Sequence, residues 1–322
     1  MLKQYLTIGI ISAIFSWSIL LILETRLKRI LLDIPNNRSS HSTPKATSGG
    51  ISFVLVAVVV SIFSINDVSR DIHSLIPIIC LPLAFIGLVD DLIEIKPFYR
   101  YSIQLITSIY LVVASLNNYL DFYNFRDICL TILIIISSTA VINFTNFMDG
   151  VDGLIAGTML PILITSAYML NSPNSIWALI GGLIGFIPWN WNPSKFFMGD
   201  IGSTFLGALF IGILLQGENL LQSICLLLIA TPILADACSC VLRRFFSGRN
   251  IFKPHRSHLY QRLQQSGFSH AKVSSIYILG TILLSITYCL GGPNYLILMV
   301  VSEIALGYWL DQNIAVKFLK TS

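Results

Sequence analysis

The chain has 322 residues, of which 55% are hydrophobic and only 11% charged, with a mean hydropathy of +0.77 and a formal net charge of +4. A soluble domain carries roughly 25% charged residues, so the composition excludes an ordinary soluble protein. With no polar linker or long soluble block to divide it, the sequence reads as a single polytopic membrane domain over 1–322.

Apolar runs close to the roughly 20 residues needed to cross a bilayer occupy 4–23, 51–66, 74–90, 101–117, 127–143, 153–170, 175–190, 202–217, 220–242, 273–290 and 294–310. The first could pass for a signal peptide. It is long enough to span, however, no small-residue cleavage pattern follows, and its positive charge comes after it in ETRLKR. It is expected to be a retained span. The predicted fold is therefore an all-α integral membrane protein with eleven transmembrane helices.

The polar gaps then alternate sides. Seventeen of the twenty Lys and Arg fall in 24–50, 91–100, 191–201, 243–272 and 311–322, and the other three are Lys3, Arg70 and Arg126. The positive-inside rule makes the first set cytoplasmic, with the N-terminus outside and the C-terminus inside. The net charge is thus a topology signal and no argument for nucleic acid. The six cysteines (80, 129, 225, 238, 240 and 289) lie in or beside apolar runs without zinc spacing and read as buried apolar thiols.

Asp90, Asp91, Glu94, Asp149, Asp152 and Asp200 all sit at expected cytoplasmic ends of spans. That membrane face is already anionic, so acids clustered there call for a compensating cation. In GLVDDLIEIKPFYR, 87–100, Asp90 and Asp91 adjoin an apolar run directly. Adjacent carboxylates repel, which favours a metal, a basic partner or a shifted pKa over a merely solvated helix end.

In NFTNFMDGVDGL, 143–154, Asn143, Asn146, Asp149 and Asp152 recur every third residue, so successive pairs can be neighbours on a helix. The plainer reading is a polar helix–helix seam with Asp152 capping the next span. It suits Asp152 and Asn143 better than Asn146 and Asp149. In NPSKFFMGDIGST, 192–204, Asp200 stands between Gly199 and Gly202 where a span begins, with Lys195 nearby. A helix start suits phosphate, and a carboxylate there can hold Mg²⁺. Asp200 could simply cap that span, but capping calls for neither Lys195 nor the glycines.

RRFFSGRNIFKPHRSHLYQRL, 243–263, is the most basic block. A short helix ending near Gly267 would align His255, His258 and Arg262. Phosphate contact is the sharper reading and a basic surface helix the plainer one. Zinc is disfavoured because no further Cys or His stands nearby in sequence. Asp236 lies inside an expected span, about 10 Å along the helix from Arg243, and an intramembrane acid is a functional candidate. Glu303, isolated in the last span, reads as structural.

DD at 90–91, NxxNxxDGxDGL at 143–154, FMGDxGS at 197–203 and HxxH at 255–258, together with the loop DIPNNRSSHSTPKATSGG at 33–50, resemble the polyprenyl-phosphate N-acetylhexosamine-1-phosphate transferases (MraY/WecA type, glycosyltransferase family 4). The resemblance covers about 33–263. It implies a bacterial inner-membrane enzyme with its active site on cytoplasmic loops. Its partners would be a UDP-amino sugar and undecaprenyl phosphate in the bilayer, a homodimer being possible, and its products UMP and a lipid-linked sugar.

The family cofactor would be Mg²⁺, or Mn²⁺, on Asp200. The resemblance further implies Asp90 as base or lipid-phosphate positioner and Asp91 in support, with Asn143, Asn146 and Asp149 at the nucleotide side. Lys195, Gly199, His255, Arg256 and His258 would serve phosphates or sugar. The peptidoglycan branch has a lysine where Glu94 stands and a run of histidines where HRSHLYQRL stands. HRSHLYQ looks more like the O-antigen-initiating branch, which uses N-acetylfucosamine or N-acetylquinovosamine donors. A transporter is the main rival. Transporter sites, however, lie near the bilayer midplane, often in paired repeats, whereas these clusters share one face. No Walker string supports an ATP-driven pump.

Overall fold

The structure is a computed structural model. It describes residues 2–33, 44–64, 72–116, 124–251 and 255–318, with backbone alone for residues 2 and 27–30. Residues 34–43 of the first loop lie outside the described residues, as do Asp67, Arg70, Asp71, Asp121, Lys253 and Lys320.

The chain is helical, with α1 Leu2–Ile30, α2 Ile51–Ser64, α3 Ile72–Ile79, α4 Leu81–Ile93, α5 Pro97–Leu116, α6 Phe125–Phe147, α7 Leu154–Met169, α8 Asn174–Asn190, α9 Asp200–Leu214, α10 Leu220–Ile229, α11 Thr231–Phe246, α12 Leu259–Gln265 and α13 His270–Asn313. Two short strands, β1 Leu32–Asp33 and β2 Lys45–Ala46, pair antiparallel between α1 and α2. Each expected apolar run coincides with helix.

Local chemistry sets many of the starts. Pro97 opens α5, where its missing N–H costs nothing. The side chains of Asn124, Asn219 and Ser269 accept from early backbone N–H groups of α6, α10 and α13.

Among the described residues four helical segments are long and apolar enough to cross a membrane: Lys3–Arg26, Ile72–Ile93, Phe125–Phe147 and His270–Asn313. The pair α10 and α11 makes a fifth if counted as one span. Phe15, Phe63, Phe85, Leu290 and Leu298 point outward and exposed, as side chains facing lipid would.

Two expected spans are not straight rods, and a third break falls between two expected spans. The 220–242 run bends by 81° between α10 and α11, where Pro232 enters the first turn of the second piece. The 74–90 run breaks at Cys80, between Pro77 and Pro82. In α13 the backbone leaves helical geometry at Gly292 (φ 72°), and the chain doubles back so that Glu303 packs on Gly280. This fits the structural reading of Glu303.

Helix α9 is the centre. Every residue from Ile201 to Leu214 is buried, and α4, α6 and α2 pack around it. A helix apolar on all sides has no face to give to water, so only its first residue, Asp200, brings charge to the bundle's edge. Glycine permits the closest crossing. A Cβ on Gly87 of α4 would lie 2.5 Å from the carbonyl carbon of Asp200 and from the amide nitrogen of Ile201. We expect Gly87→Ala to cost roughly 1–3 kcal/mol, read as a lowered thermal midpoint of the purified protein in detergent. An unchanged midpoint would refute the tight α4–α9 contact.

Candidate active site

The carboxylates that the sequence separates by up to 110 positions meet at the start of α9. Asp90 and Asp91 lie in the last turn of α4. Asp90 Oδ1 accepts from the Ile95 amide at 2.8 Å, which folds the chain sharply after the helix. That turn brings Arg100, one turn into α5, back over the acids. Its guanidinium lies 2.6 Å from Asp90 Oδ2 and 2.6 Å from Asp200 Oδ2, and donates to Asn146 Oδ1 at 3.3 Å.

Asn146, in the last turn of α6, donates from Nδ2 to Asp200 Oδ1 and Ser203 Oγ, each at 2.9 Å. Asp91 faces the other way. It accepts from Ser48 Oγ at 2.6 Å and from the Asp200 amide at 3.1 Å, and so caps α9. Gly199 (φ 74°) allows this approach, since a Cβ there would stand 2.3 Å from Asp91 Oδ2.

Asp149 lies in the turn between α6 and α7 beside this group. Burial, then the charges of Asp200, Asp91 and Asp152, push its carboxyl up to about 8. In the metal-free protein it therefore keeps its proton at neutral pH.

Asp152 has a different job from the capping expected of it. Gly153 (φ 76°) occupies the cap of α7. The Asp152 side chain binds Lys45 Nζ (3.2 Å), Asn192 Nδ2 (2.9 Å), Ser194 Oγ (2.8 Å) and His270 Nδ1 (3.4 Å). Burial raises this carboxyl, but the hydrogen bonds from His270, Asn192 and Ser194 and the charge of Lys45 outweigh it. The net shift is well below the usual carboxylate range. The residue joins β2, the 191–199 turn and the start of α13.

The remaining sequence candidates divide. Asn143 does not join the acids: its Nδ2 donates to Gln104 Oε1 and the Thr139 carbonyl, both at 2.8 Å, in the α5–α6 seam. Exposed Lys195 sits 5.0 Å over the Trp189 ring. Arg256 donates to Gln264 Oε1 at 3.2 Å.

The expected helical alignment of His255, His258 and Arg262 is corrected. Helix α12 begins only at Leu259, so both histidines precede it, stacked with ring centroids 5.1 Å apart. Arg262 turns away to Asp311 and the Val316 carbonyl. The loop still faces the acids. Tyr260 Oη donates to the Phe147 carbonyl at 3.0 Å, and a Cβ on Gly150 would meet the Tyr260 hydroxyl. Burial, then the charges of His258 and Arg244, lower His255 to about 4, so it is neutral.

Sequence reasoning missed Arg100, Ser48, Ser203 and Lys45. Arg100 carried a signal, a cation placed just beyond an acid pair, but it had been counted only for topology. Three cysteines depart from the buried reading: Cys129, Cys238 and Cys289 are exposed, while Cys80, Cys225 and Cys240 are buried.

The donors around Asp200 are carboxylate, amide and hydroxyl oxygens, a hard set that suits Mg²⁺. One guanidinium pairs with both Asp90 and Asp200, while Asp91 and Asp149 stand close by without a cation of their own among the described contacts. The residues present therefore fit a divalent cation. Asp200, supported by Asp90, Asp91 and Asn146, would hold it.

Residues 73–218 match the family model described as glycosyl transferase family 4. A Bacillus subtilis (strain 168) protein, "Probable undecaprenyl-phosphate N-acetylglucosaminyl 1-phosphate transferase", is 29% identical, covering 88% of this chain and 85% of its own. The Mycobacterium tuberculosis (strain ATCC 25618 / H37Rv) "Decaprenyl-phosphate N-acetylglucosaminephosphotransferase" is 28% identical over 86% of this chain and 80% of its own. A "Phospho-N-acetylmuramoyl-pentapeptide-transferase" of Staphylococcus epidermidis (strain ATCC 12228 / FDA PCI 1200) is 28% identical over 73% of this chain and 81% of its own.

Two outcomes follow from these charges. Lys45→Met removes the cation from the buried Asp152 carboxylate, which keeps its bonds from Asn192, Ser194 and His270, and should cost about 1–3 kcal/mol. Adding Asp152→Asn should recover part of that loss in a double-mutant cycle of thermal midpoints, and full additivity would refute the pairing. Asp149 titrates at about 8 when folded against 3.8 for the free side chain. A raised carboxylate makes the folded state lose stability as pH climbs through that window. Without divalent cations, Asp149→Asn should therefore melt progressively above wild type as pH rises from 4 to 8. Parallel curves would contradict the shift.

Proposed function

We propose that this chain, which belongs to glycosyl transferase family 4, moves an N-acetylated amino-sugar 1-phosphate from a UDP-sugar to undecaprenyl phosphate. UMP is released and a lipid-linked glycan begins. The observation that carries this reading is the joining of Asp90, Asn146 and Asp200 by Arg100 at the end of apolar helices. A charged donor and a lipid acceptor can meet there. The relatives' names, which pair polyprenyl phosphates with N-acetylated sugars, support it. We place this face in the cytoplasm and the chain in the inner membrane with eleven spans, on the lysine and arginine distribution.

In the reaction an oxygen of the lipid phosphate attacks the sugar-bearing phosphorus of the donor, directly or through an enzyme-bound intermediate. The bond to UMP breaks. Both partners are anionic, so alignment and neutralisation dominate the demand on the protein. Bound Mg²⁺ or Mn²⁺ would supply charge neutralisation at the pyrophosphate.

The chain's own groups do the rest. Asp90 positions the lipid phosphate or takes its proton, and Asp91 holds the start of α9 in place. Asn146 and Asp149 line the nucleotide side. Arg100 offers a guanidinium able to pair with phosphate oxygens once Asp90 and Asp200 take other partners. The loop carrying His255, Arg256 and His258 flanks the donor from the Tyr260 side, and Lys195 lies at the outer margin.

The relatives make UDP-N-acetylglucosamine the first donor to try. The HRSHLYQ form adds the N-acetylfucosamine and N-acetylquinovosamine donors of O-antigen initiation. Purified protein with undecaprenyl phosphate, Mg²⁺ and this panel should yield UMP and a lipid-linked sugar diphosphate. Asp200→Asn should lower turnover roughly 100-fold or more. Wild-type turnover by Asp200→Asn at limiting Mg²⁺ would remove the metal assignment. No product from folded protein that still binds the UDP-sugars would overturn the reaction.

A further inference from the structure

We propose that Cys240, His255 and His258 form a second metal site, selective for zinc and distinct in chemistry from the oxygen-lined site at Asp200. Helix α11 supplies the buried Cys240, and the loop before α12 supplies both histidines. Their ligating atoms all lie within 4.8 Å of one another. Bonds of about 2.1 Å in a tetrahedron set ligand atoms roughly 3.4 Å apart, so shifts of about 1 Å would close the site.

A second observation points the same way. His258 is buried, and its Nδ1 is turned to Asp236. It lies 3.8 Å from Asp236 Oδ1, too far for a full hydrogen bond. That leaves Nε2 as the ring nitrogen for a metal. Metal-binding histidines characteristically turn one ring nitrogen to the metal and the other to a carboxylate, and Asp236 is already fixed for that part. It accepts from the Leu259 amide (2.7 Å), the Tyr260 amide (3.0 Å) and Tyr277 Oη (2.8 Å). One helical turn separates Asp236 from Cys240, so both project from the same side of α11.

One thiol and two imidazoles make a soft to borderline donor set, which prefers zinc to magnesium. Binding displaces the thiol proton to solvent and leaves a thiolate on the metal. That thiolate and Asp236 offset the charge of the ion, while the nearby Arg244 is held apart with its Nη2 on the Asn250 carbonyl at 2.7 Å. Three protein ligands leave a fourth position for water or a substrate oxygen. The ion would lock the basic loop onto α11 beside the Asp149 turn. The two histidines would then act as ligands rather than as direct phosphate contacts.

The test uses the full chain in detergent, stripped with a chelator and titrated with Co²⁺. A thiolate-to-cobalt charge-transfer band, saturating at one equivalent and bleached by Zn²⁺ but not by excess Mg²⁺, is expected. Cys240→Ser should abolish the band and weaken zinc binding by 100-fold or more, while Cys238→Ser, a change at the exposed neighbour, leaves both intact. If Cys240→Ser does not fold, His255→Gln should give the same loss of the tetrahedral cobalt spectrum. No band in folded wild type, a band that survives in Cys240→Ser or His255→Gln, or displacement by Mg²⁺ would overturn the site.

Discussion

Asp90 and Asp200 meet at the rim of a buried helix, with Asp91 and Asp149 beside them, and the fold answers the repulsion between the first two with one guanidinium. Arg100 bridges Asp90 and Asp200 and also reaches Asn146. Three helices that need share no apolar ridge at that point are thereby fixed in register: α4 by its end, α6 by its last turn and α9 by its first. Asp91 completes the arrangement from the opposite side by capping α9 and taking the Ser48 hydroxyl. The cation is mobile in principle and the acids are not. That would suit the reaction proposed above, in which Arg100 is freed to pair with phosphate oxygens.

The rest of the molecule keeps those groups at one depth. Helix α9 is buried throughout, so its start cannot slide without exposing apolar surface. Backbone segments 46–50 and 196–198 are laced by amide hydrogen bonds between Ala46 and Phe197, Gly49 and Phe197, and Gly50 and Met198. Those bonds hold Ser48 and Gly199 against Asp91. Lys45 and Asp152 form a second clasp behind the first, tying the same loop to α13. The acids at the site are thus strained electrostatically but firmly placed, which is the condition for preorganised charge stabilisation.

Much of this was legible in the sequence, because apolar runs and acids at their ends survive any detail of packing. The helical class, the start of α9 at Asp200 and the meeting of Asp90, Asn146 and Asp200 follow from spacing and resemblance. What failed was whatever depends on partners distant in sequence. Asn143 and Asn146 share a face by count, yet Gln104 captures one and Asp200 the other. Asp152 looks like a cap until Lys45 and Ser194 arrive from elsewhere. The 81° bend at Ala230 is hidden inside a run apolar enough to read as one span, although Pro232 stands at the break. Zinc on His255 and His258 is disfavoured in sequence for want of a nearby Cys or His, yet α11 carries Cys240, fifteen and eighteen positions before them, to within 4.8 Å of both.

That bend has a chemical consequence. A straight helix from 220 to 246 would carry Asp236 and Cys240 along a bilayer-crossing rod, where an ionised carboxylate is costly. Turning α11 by 81° lets it meet the start of α12, whose first two backbone amides then satisfy Asp236. The two charged regions end up divided by ligand hardness: oxygens around Asp200, nitrogen and sulfur around Cys240. Tyr260 bridges them, with its amide on Asp236 and its hydroxyl on the Phe147 carbonyl next to the Asp149 turn. A change in how the loop is held on α11 would therefore be felt two residues from Asp149. Through that one side chain, occupancy of the softer site gains a mechanical route to the harder one.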